Sequence, residues 1–389
     1  MHQDDTQAVL DWLERHEPDM LALLETLVNA DSPSRDKAAV DAVGGILKDF
    51  FATQGIPTET FPSDTHGEAI RAAVDANGSN QRPVMLLGHR DTVFPSGEAA
   101  RRPFRIADGR AYGPGVADMK AGLVMNAFVL AAFKACGAAP APLVALITSD
   151  EEIASPSSRG VIEREARMAR LVLNSEPGRA NGNVVSGRKG GTFMRFEVFG
   201  RAAHSGANFA DGRSAIEEMA HKILALHAMT DLARGTTVNV GLVSGGQGVN
   251  TTAPHAVGEI DLRTVTAADR AAALDRVAAI MAQCTVPDTH ATWEIMGEFL
   301  PLEASAASAR LLGLYLDVSA ARGAQIAGEF TGGCADSGYT AAQGIPTLCG
   351  LGPVGGKAHT VDEYMEVATL VPRAQAMAAT ILRLNTAGL

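Results

Sequence analysis

"PLVALITSDEE", residues 142–152, reads as a buried strand that runs straight into three adjacent carboxylates, Asp150, Glu151 and Glu152. The apolar run "LVALIT" shows no polar alternation, which marks a strand covered on both faces, as in parallel sheets packed between helices. Like charges side by side repel, so this acidic cluster makes sense where something positive stands against it. Two further stretches share the pattern: "PVMLLGH" (83–89) ends in His89, and "ARLVLNSEP" (169–177) ends in Glu176. Between the first two lies "KAGLVMNAFVLAAFKACG" (120–137), a helix ended by Gly137. Strands alternating with helices predict an α/β fold with a mostly parallel central sheet flanked by helices, whose ligand-binding residues collect beyond the carboxyl ends of the strands.

Outward from this core, the first 55 residues read as helical, with "DMLALLETLVNA" and "KAAVDAVGGILKDFFATQG" ending at Gly55. Past Gly187 the texture changes to half-exposed antiparallel strands, "TFMRFEVFGRAAHSG" and "TTVNVGLVSGGQGVNTTAPHAVGEIDLRTV", separated by two helical runs. After residue 302 helices and buried strands return, closing on a predicted helix over "VDEYMEVATLVPRAQAMAATILRL". The chain of 389 residues is long enough for two domains. We expect a catalytic domain in two parts, 1–187 and 302–389, interrupted by an inserted α+β sandwich, 188–301.

The net charge is -11, from 33 basic and 44 acidic residues with no Lys/Arg-rich block, which argues against nucleic acid or an anionic membrane as partner. The acidic start "MHQDDTQAVLDWLERHEPDM" lacks the pattern of a secretory leader, and no run approaches the roughly 18 apolar residues of a membrane span. A soluble cytoplasmic protein is expected. Cys136, Cys284, Cys334 and Cys349 are far apart and form no C-x-x-C pair. Cys334 stands out because it lies in the glycine-rich "TGGCADSG".

The strand ends carry the chemistry. His89 and Asp91 in "HRDTV" face the same way, and a carboxylate beside an imidazole commonly orients a metal-bound His. In "YGPGVADMKAG" a tight turn sets Asp118 just before a helix, as an N-cap or as a ligand. "GKAHTVDEYM" adds His359, with Thr360 and Glu363 placed to form a capping box on the last helix. Together His89, Asp118, Glu151, Glu152, Glu176 and His359 offer nitrogen and oxygen donors suited to zinc. One His and one acid for each of two ions, plus a carboxylate bridging both, makes a two-metal site. One carboxylate is left over to serve as a general base.

These residues and their order resemble the zinc-dependent exopeptidase and deacylase family that includes glutamate carboxypeptidase, acetylornithine deacetylase, succinyl-diaminopimelate desuccinylase and aminoacylase. Within it the chain looks closest to bacterial glutamate carboxypeptidase, in "RPFRIADGRAYGPGVADMK", "TSDEE", the "EP" after the third strand and "TGGCADS". The resemblance implies a di-zinc exopeptidase fold whose inserted domain is a lid and dimerisation domain. It implies that Asp118 bridges two zinc ions, with Co2+ or Mn2+ as substitutes, His89 and Glu176 completing one coordination sphere and Glu152 and His359 the other. Asp91 would orient His89, and Glu151 would be the base that deprotonates the attacking water. "GRAAHSGANFADGRSAI" matches a family signature whose His204 is expected to reach the active site of a partner subunit, which implies a homodimer. "GGQGVNTTAP" and "EIDLRTV" match substrate-carboxylate positions, suggesting Asn250 and Arg263. The implied reaction releases a C-terminal amino acid, glutamate first, from N-acyl or N-aroyl amino acids or short peptides. An N-acyl amino-acid deacylase is the alternative, and a non-catalytic small-molecule binder is a second. Arg90, Cys334 and "SGRKGG" (186–191) depart from the pattern and are expected to bear on the substrate pocket.

Overall fold

Six strands form the central sheet, in the spatial order Thr58–Phe61, Ala69–Val74, Leu143–Thr148, Val84–His89, Leu171–Asn174 and Thr347–Leu348. The last four run parallel and the first two antiparallel, so the sheet is mostly parallel with an antiparallel edge. The edge hairpin was not anticipated from sequence. Every residue of Val84–His89, Leu143–Thr148 and Leu171–Asn174 is buried, which is why these runs carry no alternation. Register sets the site: His89 pairs with Thr148, and Leu87 with Asn174, so the three strands release their next residues at one end of the sheet.

This computed structural model describes residues 3–76 and 79–389; residues 1 and 2 of the expected helical start lie outside the described residues. The chain divides into two compact units, one of Met1–Gly187, Glu303–Thr331 and Ala335–Leu389, the other of Arg188–Leu302 with Gly332–Cys334. In the first, helices Gln3–Arg15, Ala121–Cys136 and Leu370–Arg383 pack together over the sheet. Residues Val116–Cys136 are, by length and composition, long and apolar enough to cross a membrane, contrary to the sequence reading; 94% of that window is buried inside the fold, as a core helix. Gly122 shows how close it packs, since a Cβ there would stand 2.0 Å from the Ser175 carbonyl oxygen.

The expected final helix begins later than its sequence suggests. Tyr364–Glu366 is a strand, paired with Arg110–Tyr112 and Gly355–Gly356, and the helix spans Leu370–Arg383. The expected capping box is absent: the Thr360 hydroxyl donates to the Lys357 carbonyl at 2.7 Å, and the Glu363 carboxylate is used elsewhere. Pairing with a distant strand outweighs local helix preference here.

In the second unit, four antiparallel strands lie in the order Thr237–Gly245, His255–Thr264, Gly190–Phe199, His290–Phe299. Helices Ala215–His227 and Ala267–Ala282 contribute Met219 and Val277 to a core shared with Phe196 and Ile260. Ser214 and Thr266 cap them, accepting from Glu217 N at 3.2 Å and Asp269 N at 3.0 Å.

Candidate metal centre

At the carboxyl end of the sheet Asp118 stands between two imidazoles. Its Oδ1 lies 3.2 Å from His89 Nε2 and its Oδ2 3.4 Å from His359 Nε2. Each imidazole has a second carboxylate of its own: Glu176 Oε1 is 3.6 Å from His89 Nε2, and Glu152 Oε2 is 3.1 Å from His359 Nε2. Glu151 Oε2 lies 4.0 Å from His89 Nε2. All six residues singled out from sequence are thus brought together. His89 is buried, whereas His359 sits on an exposed loop in left-handed backbone (φ 63°), which leaves one side of the cluster open.

Asp118 is not an N-cap. Lys120 occupies that position of the following helix without a side-chain cap, and a cis peptide joins Asp118 to Met119. Its turn is held instead by Glu363, whose carboxylate accepts from Gly115 N at 3.1 Å and from Ala117 N and Asp118 N at 2.9 Å each. Burial pushes the Glu363 carboxyl up to about 7 against the pull of those amides. Beneath the turn Lys120 is buried, donates to the Ala30 carbonyl at 2.8 Å, and is drawn down to about 8 by burial. Sequence reading missed this use of Glu363, because its partner amides lie 245 to 248 residues away in the chain.

Asp91 couples the two strand ends. Its Oδ1 accepts from Glu151 N and its Oδ2 from Glu152 N, both at 3.1 Å, and Ser34 Oγ donates to Oδ2 at 2.6 Å. The same Oδ1 is 3.4 Å from His89 Nδ1, which also meets the Asp91 carbonyl at 3.1 Å. Burial works to raise the Asp91 carboxyl, but the hydrogen bond and charge of His89, with Ser34, hold it below the usual carboxylate range. Asp150 secures the next turn of the chain, where its Oδ2 accepts from Ser157 N (2.6 Å) and Ser158 N (3.3 Å) ahead of the helix Arg159–Met168. Asp336, also unassigned from sequence, is buried and accepts from Ser155 Oγ at 2.5 Å and Thr148 Oγ1 at 3.2 Å.

Arg90, expected to shape a pocket, points the other way, into the core. Its buried guanidinium donates to the carbonyls of Val40 (2.9 Å), Ile147 (3.4 Å), Thr148 (3.3 Å) and Glu68, and to Asp41 Oδ1 (3.1 Å). It fastens the ends of two strands to the helix Lys37–Thr53.

The cluster is short of positive charge. Burial, then repulsion from Asp118, pushes the Glu152 carboxyl up to about 7, and burial with Glu176, Asp336 and Glu152 pushes Glu151 well above its ordinary value. Burial works to lower the His89 imidazole, yet the surrounding carboxylates, Glu151 foremost, hold it well above its ordinary value. Glu152 Oε1 is buried with no hydrogen-bond partner. Donor atoms of His89, Asp118 and Glu152 lie within 4.8 Å of one another, a spacing that could hold a metal ion. Acid-rich nitrogen and oxygen donors with an unused buried oxygen fit a borderline divalent cation, whose charge would keep the carboxylates ionised.

His204, Asn250 and Arg263 belong to the second unit. His204 and Asn250 are exposed on adjoining loops, where Ser205 N donates to the Asn250 carbonyl at 3.0 Å. His204 Nδ1 accepts from Gly206 N (3.1 Å) and Ala207 N (3.2 Å), which selects the tautomer carrying its proton on Nε2. Arg263 donates twice to Asp261, at 2.6 and 3.0 Å, and once to Cys334 Sγ at 2.7 Å.

The sequence pattern of Peptidase family M20/M25/M40 matches residues 85–383. Carboxypeptidase G2 of Pseudomonas sp. (strain RS-16) is 27% identical over 375 residues, covering 94% of this chain and 89% of its own. A succinyl-diaminopimelate desuccinylase of Methylobacterium radiotolerans is 33% identical over 208 residues, covering 49% of this chain and 52% of its own. Among solved structures, the M20 family metallo-carboxypeptidase Sso-CP2 of Sulfolobus solfataricus superposes with a TM-score of 0.76 at 16% identity, covering 93% of this chain and 98% of that one. The structural match shares the fold with its mostly parallel sheet, and the chain belongs to Peptidase family M20/M25/M40, a family of metal-dependent hydrolytic enzymes.

Proposed function

We propose that the chain is a di-zinc amidohydrolase that releases a C-terminal amino acid, glutamate first, from N-acyl or N-aroyl amino acids or short peptides. The observation that carries this reading is the two-sided Asp118, which offers one oxygen to each of two imidazoles, each with its own acid. His89 and Glu176 would hold one ion, His359 and Glu152 the other, and Asp118 both. When bound, such ions polarise a scissile carbonyl and make water a nucleophile near neutral pH. Glu151 takes the proton of the attacking water and returns it to the leaving nitrogen, a double role suited to a carboxyl whose pKa burial has raised. Asp91 fixes His89 and the backbone of Glu151 and Glu152 together. His204 of a second copy of the chain donates its Nε2–H to the developing oxyanion, and Arg263 with Asn250 receives the substrate carboxylate. The relative named carboxypeptidase G2, matched over most of both chains, supports the carboxypeptidase branch. A homodimer is supported by Ile216 and Leu224 on one helix and Leu242 and Val243 on an edge strand, all exposed apolar side chains of the inserted unit. The free cysteines speak for the cytoplasm.

The test is Glu151→Gln in the zinc-loaded enzyme, assayed by mass spectrometry on a panel of aroyl-glutamates and N-acetyl and N-succinyl amino acids. Metal content should stay at wild-type level while turnover falls by about 10²- to 10⁴-fold. A variant that keeps near-wild-type turnover sinks the assignment of the base. Preference of the wild-type enzyme for small N-acyl groups over aroyl-glutamates would move it to the deacylase branch.

A further inference from the structure

Away from the metal centre, the first unit holds a cavity of about 360 Å³ between the helices Ala306–Ala321 and Leu370–Arg383. Its walls are part apolar, with Ile326 and Pro372, and part polar, with Tyr315, Gln375 and two arginines, Arg322 and Arg373. The size is that of a small-molecule site. Arg373 is only 7% exposed, lines the cavity, and donates to the Tyr315 hydroxyl at 3.4 Å and to the Gly182 carbonyl. Arg322 lies at the exposed side and donates to the Gln375 side-chain oxygen. Among the described residues neither guanidinium forms an ion pair with a carboxylate, and burial draws Arg322 below its ordinary pKa, with the charge of Glu14 opposing.

A buried cation without a counter-ion is costly, because lost hydration is not replaced by an opposite charge. The first turn of Leu370–Arg383 also lines the cavity, and a helix N-terminus adds positive potential. Guanidinium forks, a phenol, an amide and apolar walls in one pocket suit a planar anion carried on a hydrophobic body. We propose that this cavity is a second binding site, for a small organic carboxylate with an apolar body, its charge on Arg373 and Arg322. One wall bears on the metal centre. Thr369 Oγ1 accepts from Val354 N at 2.9 Å, and Val354 is bridged to Gly178, two residues past Glu176. An occupant therefore rests against the segment that leads from Glu176.

The experiment is calorimetric titration of the metal-loaded enzyme with phenylacetate, its neutral amide phenylacetamide, and inorganic phosphate. Phenylacetate should bind saturably, and phenylacetamide at least about tenfold more weakly, the worth of one charge-assisted contact. Arg322→Gln, which leaves Arg373 in place, should reduce that preference while leaving hydrolysis in the absence of phenylacetate unchanged, and Ala324→Trp, which narrows the cavity and spares both arginines, should weaken both ligands. Unfolding curves for both variants confirm that they fold. Absence of saturable phenylacetate binding into the millimolar range overturns the proposal, as does phosphate binding as tightly as phenylacetate. So does phenylacetate affinity unchanged in both variants, which would place the binding elsewhere.

Discussion

Removing metal from the protein should make its stability fall as pH rises, and loading zinc should flatten that dependence. Buried carboxyls set the effect: Glu152 and Glu363 stand at about 7 against an ordinary 4.5, Asp336 at about 7 against 3.8, and burial raises Glu151 and Asp150 as well. Below their ordinary values both folded and unfolded chains hold these protons, and nothing is lost. Above them the unfolded chain releases protons that the folded chain retains, so stability declines until pH passes the folded values. Each retained proton contributes a slope of about 1.4 kcal/mol per pH unit. Neighbouring acids share protons, so roughly one to two protons are retained in all, and the expected loss is about 1–3 kcal/mol per unit between about pH 5 and 7. His359, raised by its contacts with Asp118 and Glu152 to about 10 from 6.5, works in the same direction: its support is full below 6.5 and is lost as pH rises through about 10. Asp118 does not bend this window. Burial raises it, but His359 and His89 win and hold it below 3.8, so its support is complete above that value. Urea unfolding of metal-stripped and zinc-loaded protein across this range measures both curves. A metal-stripped protein as stable at neutral pH as in mild acid would refute the reasoning.

Two other perturbations probe the supports of the site. Glu363→Gln keeps an oxygen for Ala117 and Asp118 but turns an amide NH2 toward the Gly115 N–H, which should cost about 2–4 kcal/mol in denaturant unfolding. Zinc affinity by competition titration should fall with it, and unchanged affinity would show that Glu363 does not position Asp118. Arg90→Met removes the guanidinium's hydrogen bonds to Asp41 and four carbonyls, although Asp41 keeps Lys37 and Glu68 N and the Thr148 carbonyl keeps Arg90 N, and should cost about 2–4 kcal/mol, with kcat per folded molecule near wild type, since the guanidinium's partners lie away from the cluster. A large fall in kcat at full folding would contradict that placement.

What the sequence made legible and what it hid follow from the range of the interactions. The buried strands announced themselves because "MLLG", "LVALIT" and "LVLN" are covered on both faces, and parallel pairing then forces His89, Glu152 and Glu176 to one end. Local rules misled where a distant partner competed. Thr360 and Glu363 have the spacing of a capping box, yet Glu363 serves amides across the chain and Tyr364–Glu366 joins a strand. Arg90 looked like a pocket residue because it sits between His89 and Asp91, but side chains alternate at a strand's end, so the residue between two inward-facing groups points away. The hairpin of Thr58–Phe61 and Ala69–Val74 escaped notice because the first strand is short and largely exposed and the second, "AIRAAV", is broken by Arg71 and built mostly of alanine.

The hydrogen bonds from residues 115–118 to Glu363 also bear on how the enzyme is made. During synthesis the strands that end in His89, Glu152 and Glu176 emerge early, and domains tend to fold as they appear. The amides around Asp118 and the far face of its carboxylate stay without Glu363 and His359 until the whole inserted unit has been translated. A nascent chain thus lacks one flank of the candidate metal cluster until its last quarter arrives. Binding of a metal ion by the complete cluster therefore has to wait until His359 and Glu363 have been made, near the end of translation.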